Sequence, residues 1–543
     1  MAIIPHYENR IESAKDLIQE LPSIVEAIPQ GYIMQQRWFG SKTKEITSIR
    51  LKDYALLPSE YPVYIMALVE LLFPDALSEI YYLPMAFKVI KSSAEERSIS
   101  SENVMLEIRS SFGTFLLIDA LKDNKFLMKQ IHLIDNSAKI ESMNGHFNCA
   151  RTEVLANVID RQFPYSADLL RHVSGEQSNT SCIYNDTLIM KNFRRLADGI
   201  NPDLEVPLFL TTKTSFNNMP LVAGYIEYSG GNSFHATIAS LQNFVPNKGD
   251  GWQYTLGHLY KLCDFALEYE ARIGASHRLT FSAIEAAVQQ FASAYLEDAH
   301  RLGAVTGELH NALATGSDLP DFAPELITAS DVQKWIENIL AYIDEVMRVL
   351  RDKVASYPAH IQEQLLRIIS NERVYSSRIE ELAVLVDQRA YKTRYHGDYH
   401  LGQVLKTTDD FIIIDFEGEP ARALDLRRAK HCPLKDIAGM LRSFDYAVYT
   451  ALMDVALNRE DSFQILEAWG DIWKRLVCEV FIDGYLEVAR RSSKSYVPGS
   501  ADAIQKALMV FQVDKAIYEL NYELNNRPTW AEIPLNYLLS LLK

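Results

Sequence analysis

The sequence predicts an α+β protein in two parts, a β-rich N-terminal half and a mainly helical C-terminal half. Three observations carry that expectation. Strand-length runs of β-branched and aromatic residues crowd the first half, among them ITSIRLKDYALL, VYIMALVELLF and YYLPMAFKVI. From Trp252 onward, apolar residues recur at three- and four-residue spacing with charges between them. The length of 543 residues is too great for one ordinary core and suits two or three domains.

In chain order, the first 20 or so residues read as a short amphipathic helix. After QQRWFGSK the three strand runs follow, and GTFLLIDAL and KFLMKQIHLI continue the β character to about residue 135. SNTSCIYN and TLIMKNF form a further pair, with Asn185-Asp186 as a hairpin turn. The helical half holds LGHLYKLCDFALEYEARI, SAIEAAVQQFASAYLEDAHRLGAVTGELHNALA and VQKWIENILAYIDEVMRVLRDKV. The last 100 residues are also mainly helical, interrupted by a loop at YVPGSAD. One small hairpin stands inside this lobe: GQVLKT, a TDD turn, then FIIIDFE.

Composition excludes several classes. The formal net charge, 54 − 71 = −17, argues against nucleic acid or an anionic membrane as the main partner. Five scattered cysteines (Cys149, Cys182, Cys263, Cys432, Cys478) include no CxxC pair, so they read as reduced thiols. The N-terminus lacks the pattern of a signal peptide, and no run approaches 18 apolar residues. The expected setting is cytoplasmic.

The hairpin carries the chemistry. In HGDYHLGQ, the amide of Gln403 lies five positions after Asp398, the interval between the catalytic-loop Asp and Asn of protein kinases. Asp415 follows a β-run in IIIDFE, where protein kinases place a metal-binding Asp, with Glu417 standing where they have glycine. One Asp would orient or deprotonate a hydroxyl while the other and the amide hold Mg²⁺ against nucleotide phosphates. Upstream, Lys191 in LIMKNF is the candidate phosphate-contacting lysine, although an ordinary edge-strand lysine reads the same way. The preceding loop lacks a glycine-rich pattern, but Gly175, Ser178, Asn179 and Thr180 offer backbone N–H groups and hydroxyls to phosphates. Glu205 is a candidate partner for Lys191 at a helix start capped by Asn201, with Pro202 at its first position. LQNFVPNKGDGW reads as an interlobe hinge, where adenine would dock on the backbone of Gln242, Phe244 and Val245. A plain linker is the alternative.

Beyond these residues the chain resembles the maltokinases, ATP-dependent kinases of bacterial trehalose and α-glucan metabolism. They belong to the aminoglycoside-phosphotransferase-like group of eukaryotic-type kinases. The resemblance rests on RWFGSK (37–42), QSNTS (177–181), FRRLADGINPDLEV (193–206), FVPNKGDGW (244–252) and HGDYHLGQVL (396–405). It continues through IDFEGEPARALDLRRAKHCPLKDIAGMLRSFDYA (414–447) and KAIYELNYELNNRPTWAEIPL (515–535).

That resemblance implies a bilobal protein-kinase-like fold: an N-terminal cap (1–95), an intermediate β-rich subdomain of the N-lobe (96–245) and a helical C-lobe (246–543). It implies ATP-dependent phosphorylation of maltose at its anomeric hydroxyl, feeding trehalose and glycogen metabolism, with Mg²⁺ as cofactor. Asp398 becomes the base, Gln403 and Asp415 the Mg²⁺ ligands, and Lys191 with Glu205 the phosphate-positioning pair. Lys515, Tyr518 and Tyr522 become sugar contacts, with His400, Arg427 and Arg428 beside them. The first three share one helical face at i, i+3 and i+7, which suits a disaccharide and equally suits a packed tyrosine stripe. Since some maltokinases are fused to trehalose synthase, that enzyme is a candidate partner. Two other readings stay open: a kinase for another sugar or amino sugar such as glucosamine, and a nucleotide-binding pseudokinase.

Overall fold

The computed structural model describes residues 3–4, 14–58, 62–75, 77–90, 100–110, 113–159, 165–173, 178–231, 233–273, 279–316, 318–419, 422–457, 459 and 462–542. The chain divides into two compact units, Met1–Thr212 with Pro220–Pro246, and Lys213–Met219 with Asn247–Lys543.

The first unit contains an eight-stranded and a seven-stranded sheet. The eight-stranded sheet centres on Val63–Leu72, a run buried at six consecutive positions and paired with neighbours on both sides. Strands Val104–Ser110 and Gly113–Asp119 also belong to it, through pairing of Gly113–Asp119 with Met85–Ile90. This sheet therefore includes strands on both sides of residue 95, which itself lies outside the described residues.

One expected strand is a helix. Asn124–Asp135, containing KFLMKQIHLI, begins where the Asp123 carboxylate accepts the Lys125 N–H, and it buries Phe126, Leu127, Gln130, Ile131 and Ile134. That spacing lines one helical face, whereas a strand would have alternated.

The seven-stranded sheet holds the expected hairpin. Asn179–Tyr184 pairs antiparallel with Leu188–Phe193, and Asn185 and Asp186 both have φ 47°, the left-handed backbone of a tight hairpin turn. Two further antiparallel strands, Val222–Gly230 and His235–Asn243, complete its centre. The helix Pro202–Lys213 starts as expected, with Asn201 Oδ1 accepting the Asp203 N–H at 2.9 Å.

The second unit is helical. Its longest helices are Gly251–Ile273, Ser293–Leu313, Ala329–Lys353, Leu434–Ala456, Ser462–Ala489 and Ala501–Asn526. Ser293–Leu313 and Ser462–Ala489 approach closely at Gly303 and Gly484: a Cβ on either would fall within 2.1 Å of a backbone oxygen of the other helix. Of the first expected helix, Ala14–Gln19 is helical and residues 5–13 lie outside the described set.

Candidate active site

The hairpin in the helical unit is Val404–Lys406 paired with Phe411–Ile413. Asp410, beside its turn, accepts Arg301 Nε and Nη2 at 2.9 and 2.8 Å, and Lys406 Nζ lies 2.8 Å from Asp298. Both partners sit on helix Ser293–Leu313, so the hairpin is fixed to it by charge. The strand ends earlier than the sequence suggests, two residues before Asp415, because Asp415 has a left-handed backbone, φ 64°. Short acidic residues tolerate that region better than the β-branched run before it.

Glycines let the loops carrying Asp398 and Asp415 meet. Gly397 and Gly418 have φ of 90° and 72°, and a Cβ on Gly397 would stand 3.3 Å from the Gly418 Cα. Asp436 holds the first loop in place by accepting the N–H groups of His396 and Gly397 at 2.7 and 3.0 Å. Its Oδ2 also meets Nε2 of the buried His310 at 3.0 Å. His396 in turn contacts the Ile414 carbonyl at 2.9 Å, tying the Asp398 loop to the Asp415 loop.

Asp398 is brought against Lys515, whose Nζ donates to Oδ1 at 3.0 Å and lies 3.5 Å from Glu419 Oε1. Burial opposes the charge of Asp398, but Lys515 and His400 prevail and lower its pKa to about 2. Burial likewise opposes the charge of Lys515, which Asp398, Glu419 and Glu519 hold above its ordinary range. His400 Nδ1 accepts the Gly402 N–H at 3.0 Å, so its Nε2 faces Asp398 at 3.9 Å. Burial pushes the His400 pKa down, which keeps the ring neutral at pH 7.

Gln403 Nε2 donates to Asp415 Oδ2 at 3.1 Å, so the two expected metal ligands are adjacent. A carboxylate and an amide oxygen are the hard donors that Mg²⁺ takes alongside phosphate and water. Glu417 is held by Arg427. Its carbonyl and carboxylate lie 3.2 and 3.4 Å from Arg427 Nη1. Arg427, half-buried with its side chain against Gly418, braces the loop that carries Asp415 and Glu417.

Two cavities flank Lys515. The smaller, about 580 Å³, is lined by Asp398, His400, Lys515, Tyr518 and Tyr522 together with Trp252 and Trp530. The larger, about 970 Å³, shares Lys515, Tyr518 and Tyr522 and extends past Arg428, which is 3.4 Å from Asp321. Tyr518 and Tyr522 stack at 6.4 Å with rings 16° apart, and Lys515 Nζ lies 5.0 Å from the Tyr518 ring centre. The tyrosines therefore form a cavity wall. Glu519 and Glu523, not singled out in the sequence, line the smaller cavity too. They follow Lys515 at i+4 and i+8, so the same helical-face rule would have found them.

In the β-rich unit, Lys191 Nζ is ion-paired with Asp203 Oδ2 at 2.7 Å. Asp203 is a partner that the sequence did not single out, and Glu205, also buried, lies two residues further along the same helix. Ser178 is exposed, Asn179 half-buried and Thr180 buried, with its hydroxyl accepting Arg194 Nε at 2.9 Å. Gly175 lies outside the described residues. At the expected hinge, Gln242 is inside the sheet opposite Ile189 and Val222, and the Phe244 N–H donates to the Thr187 carbonyl at 2.8 Å. That N–H is therefore already bonded within the β-rich unit. Val245 lies just beyond the strand.

No family model matches the chain. A glucosamine kinase of Streptacidiphilus jiangxiensis is 25% identical over 280 residues, 51% of this chain and 54% of that protein. A glucosamine kinase of Mycolicibacterium smegmatis is 22% identical over 382 residues, 68% of this chain and 79% of its own length. The match thus spans about half the length of the first relative. The solved structure of a glucosamine kinase in complex with glucosamine, ADP and inorganic phosphate aligns with a TM-score of 0.61 and 19% identity. That alignment covers 96% of this chain and 99% of the other. The chain has a kinase-like fold, shared with the solved glucosamine kinase. Among the described residues, no helix is long and apolar enough to cross a membrane.

Proposed function

We propose that the chain is an ATP-dependent sugar kinase, carried by one observation: Asp398 beside Lys515 with Gln403 and Asp415 on the adjoining hairpin. Asp398 would accept a hydrogen bond from the attacking sugar hydroxyl and orient its oxygen toward the terminal phosphate. With a pKa of about 2, Asp398 is too weak a base to remove the proton early. A loose phosphoryl transition state does not require early removal. The O–P bond to the sugar forms as the bond to ADP breaks, and the proton leaves late through Asp398. Gln403 and Asp415 would hold Mg²⁺, which when bound neutralises phosphate charge. Lys191, positioned by Asp203, would add a further cation at the phosphates.

Among acceptors, the named relatives favour an amino sugar, glucosamine. Maltose stays as the second reading on a specific observation. The carboxylates lining the smaller cavity each have a cationic partner: Asp398 with Lys515, Glu519 with Arg442, and Glu523 with Arg527. An ammonium group would enter next to Lys515 without an uncommitted carboxylate to meet it, whereas a neutral sugar meets no such conflict. ADP release measured against glucosamine, maltose, glucose and trehalose decides between them. Release with glucosamine alone supports the amino-sugar reading, and release with maltose alone supports the other. Sugar-independent nucleotide binding without ADP release would leave a pseudokinase, with trehalose synthase as the partner to test.

A further inference from the structure

We propose that the larger cavity beside Lys515, distinct from the smaller one that holds Asp398, binds a neutral oligosaccharide. Two helices wall it with one repeated pattern. Helix Ala329–Lys353 presents Trp335, Asn338 and Tyr342, and helix Ala501–Asn526 presents Tyr518, Asn521 and Asn525. Each set is spaced i, i+3, i+7, which keeps aromatic rings and amides together on one face. The two faces meet where Asn521 Nδ2 donates to Tyr342 Oη at 3.4 Å, with the Tyr342 and Tyr518 rings 6.5 Å apart.

The aromatic planes are held by protein contacts. Trp335 stacks on His431 at 4.0 Å with rings 21° apart, and His431 Nδ1 accepts the Cys432 N–H at 2.9 Å. Tyr518 stacks in turn on Tyr522. Seven residues separate Trp335 from Tyr342, about 10 Å along the helix axis, a span longer than one pyranose ring. A volume of about 970 Å³ leaves room for several rings.

Charge in the lining is already matched. Lys435 pairs with Asp514, Lys430 with Glu325 and Arg428 with Asp321. Lys334, exposed, is the one charged lining residue without an ion pair among the described residues. An ionic ligand would meet few uncommitted counter-charges there. By contrast, the Tyr395 and Tyr518 phenols and the Asn338 amide make no hydrogen bond to another described residue. A saccharide meets both features: its C–H faces cover aromatic planes, and its hydroxyls donate to and accept from phenols and amides. A purely apolar ligand would strip water from those polar groups and give nothing in return.

Two sources share this chemistry. One is the far end of a long acceptor, since Tyr518 and Tyr522 line both cavities; the other is a separate chain. The first source rests on the sugar-kinase reading, whereas the site itself does not.

Calorimetric titration of the full-length protein with maltotriose and cellotriose, without nucleotide, reads binding apart from phosphoryl transfer. At least one trisaccharide should bind saturably, and Trp335→Ala should weaken that binding about tenfold. Asn338→Ala, at an exposed helical position, should weaken it about threefold and keeps the test open if Trp335→Ala fails to fold. ADP release with the best monosaccharide acceptor should be the same in both variants as in the unmodified chain. A titration repeated with that monosaccharide at saturation separates the sources. Unchanged trisaccharide affinity assigns a separate chain, and competition assigns the far end of the acceptor. No binding of either trisaccharide at millimolar concentration, or unchanged affinity in both variants, overturns the proposal.

Discussion

Lys515 Nζ stands 3.0 Å from Oδ1 of Asp398, so the residue assigned to orient the acceptor is neutralised by its neighbour before any substrate arrives. This pair sets the electrostatics of the site. It keeps Asp398 ionised far below neutral pH and leaves it a weak base.

A pH prediction follows from that pair. The folded-state pKa of Asp398, about 2, is below the ordinary value of about 3.9 in an unfolded chain. Its contribution to stability is therefore present above about pH 4 and lost as pH falls toward 2. In Lys515→Met that carboxyl should titrate higher, moving the acid limb of kcat/KM upward by about one pH unit or more. An unchanged acid limb would separate Lys515 from Asp398.

Metal dependence should reside in the second loop. Asp415→Ala should weaken ATP binding strongly in the presence of Mg²⁺ and little in its absence, read by calorimetric titration under both conditions. Gln403→Ala should move in the same direction by a smaller factor, because an amide carries no formal charge.

Arg427→Ala should act on the Asp415 loop without touching a sugar cavity. Losing the half-buried contacts to Glu417 should cost about 0.5–1.5 kcal/mol of stability, with an accompanying rise in KM for ATP and little change in KM for sugar. A selective rise in KM for sugar would restore Arg427 as an acceptor contact.

In the β-rich unit, Asp203→Ala should release Lys191 from its 2.7 Å partner. A charged hydrogen bond contributes about 1.5–3 kcal/mol, so KM for ATP should rise about tenfold or more. Steady-state kinetics at fixed sugar concentration would show it.

The residues legible in the sequence were those fixed by short-range rules. Asp398, Gln403 and Asp415 follow an interval along the chain, and the Asn185-Asp186 turn follows from backbone preference. Lys515, Tyr518 and Tyr522 come from the family resemblance, and helical periodicity places them on one face. KFLMKQIHLI misled because its β-rich composition masked a helical spacing of buried residues. Asp436 was missed because its work is tertiary: it gathers N–H groups 40 and 39 residues away. The bracing of Glu417 by Arg427 was hidden for a related reason, since the two meet only after the loop between them folds back.

The most direct test of the central claim compares sugar-dependent ADP release by the unmodified chain and by Asp398→Asn, with the acceptor that gives the fastest turnover. The account predicts sugar-dependent release in the first and a loss of about 10²–10⁴-fold in kcat in the second, with ADP affinity nearly unchanged. Turnover retained in Asp398→Asn, or no sugar-dependent release from the unmodified chain, would contradict it.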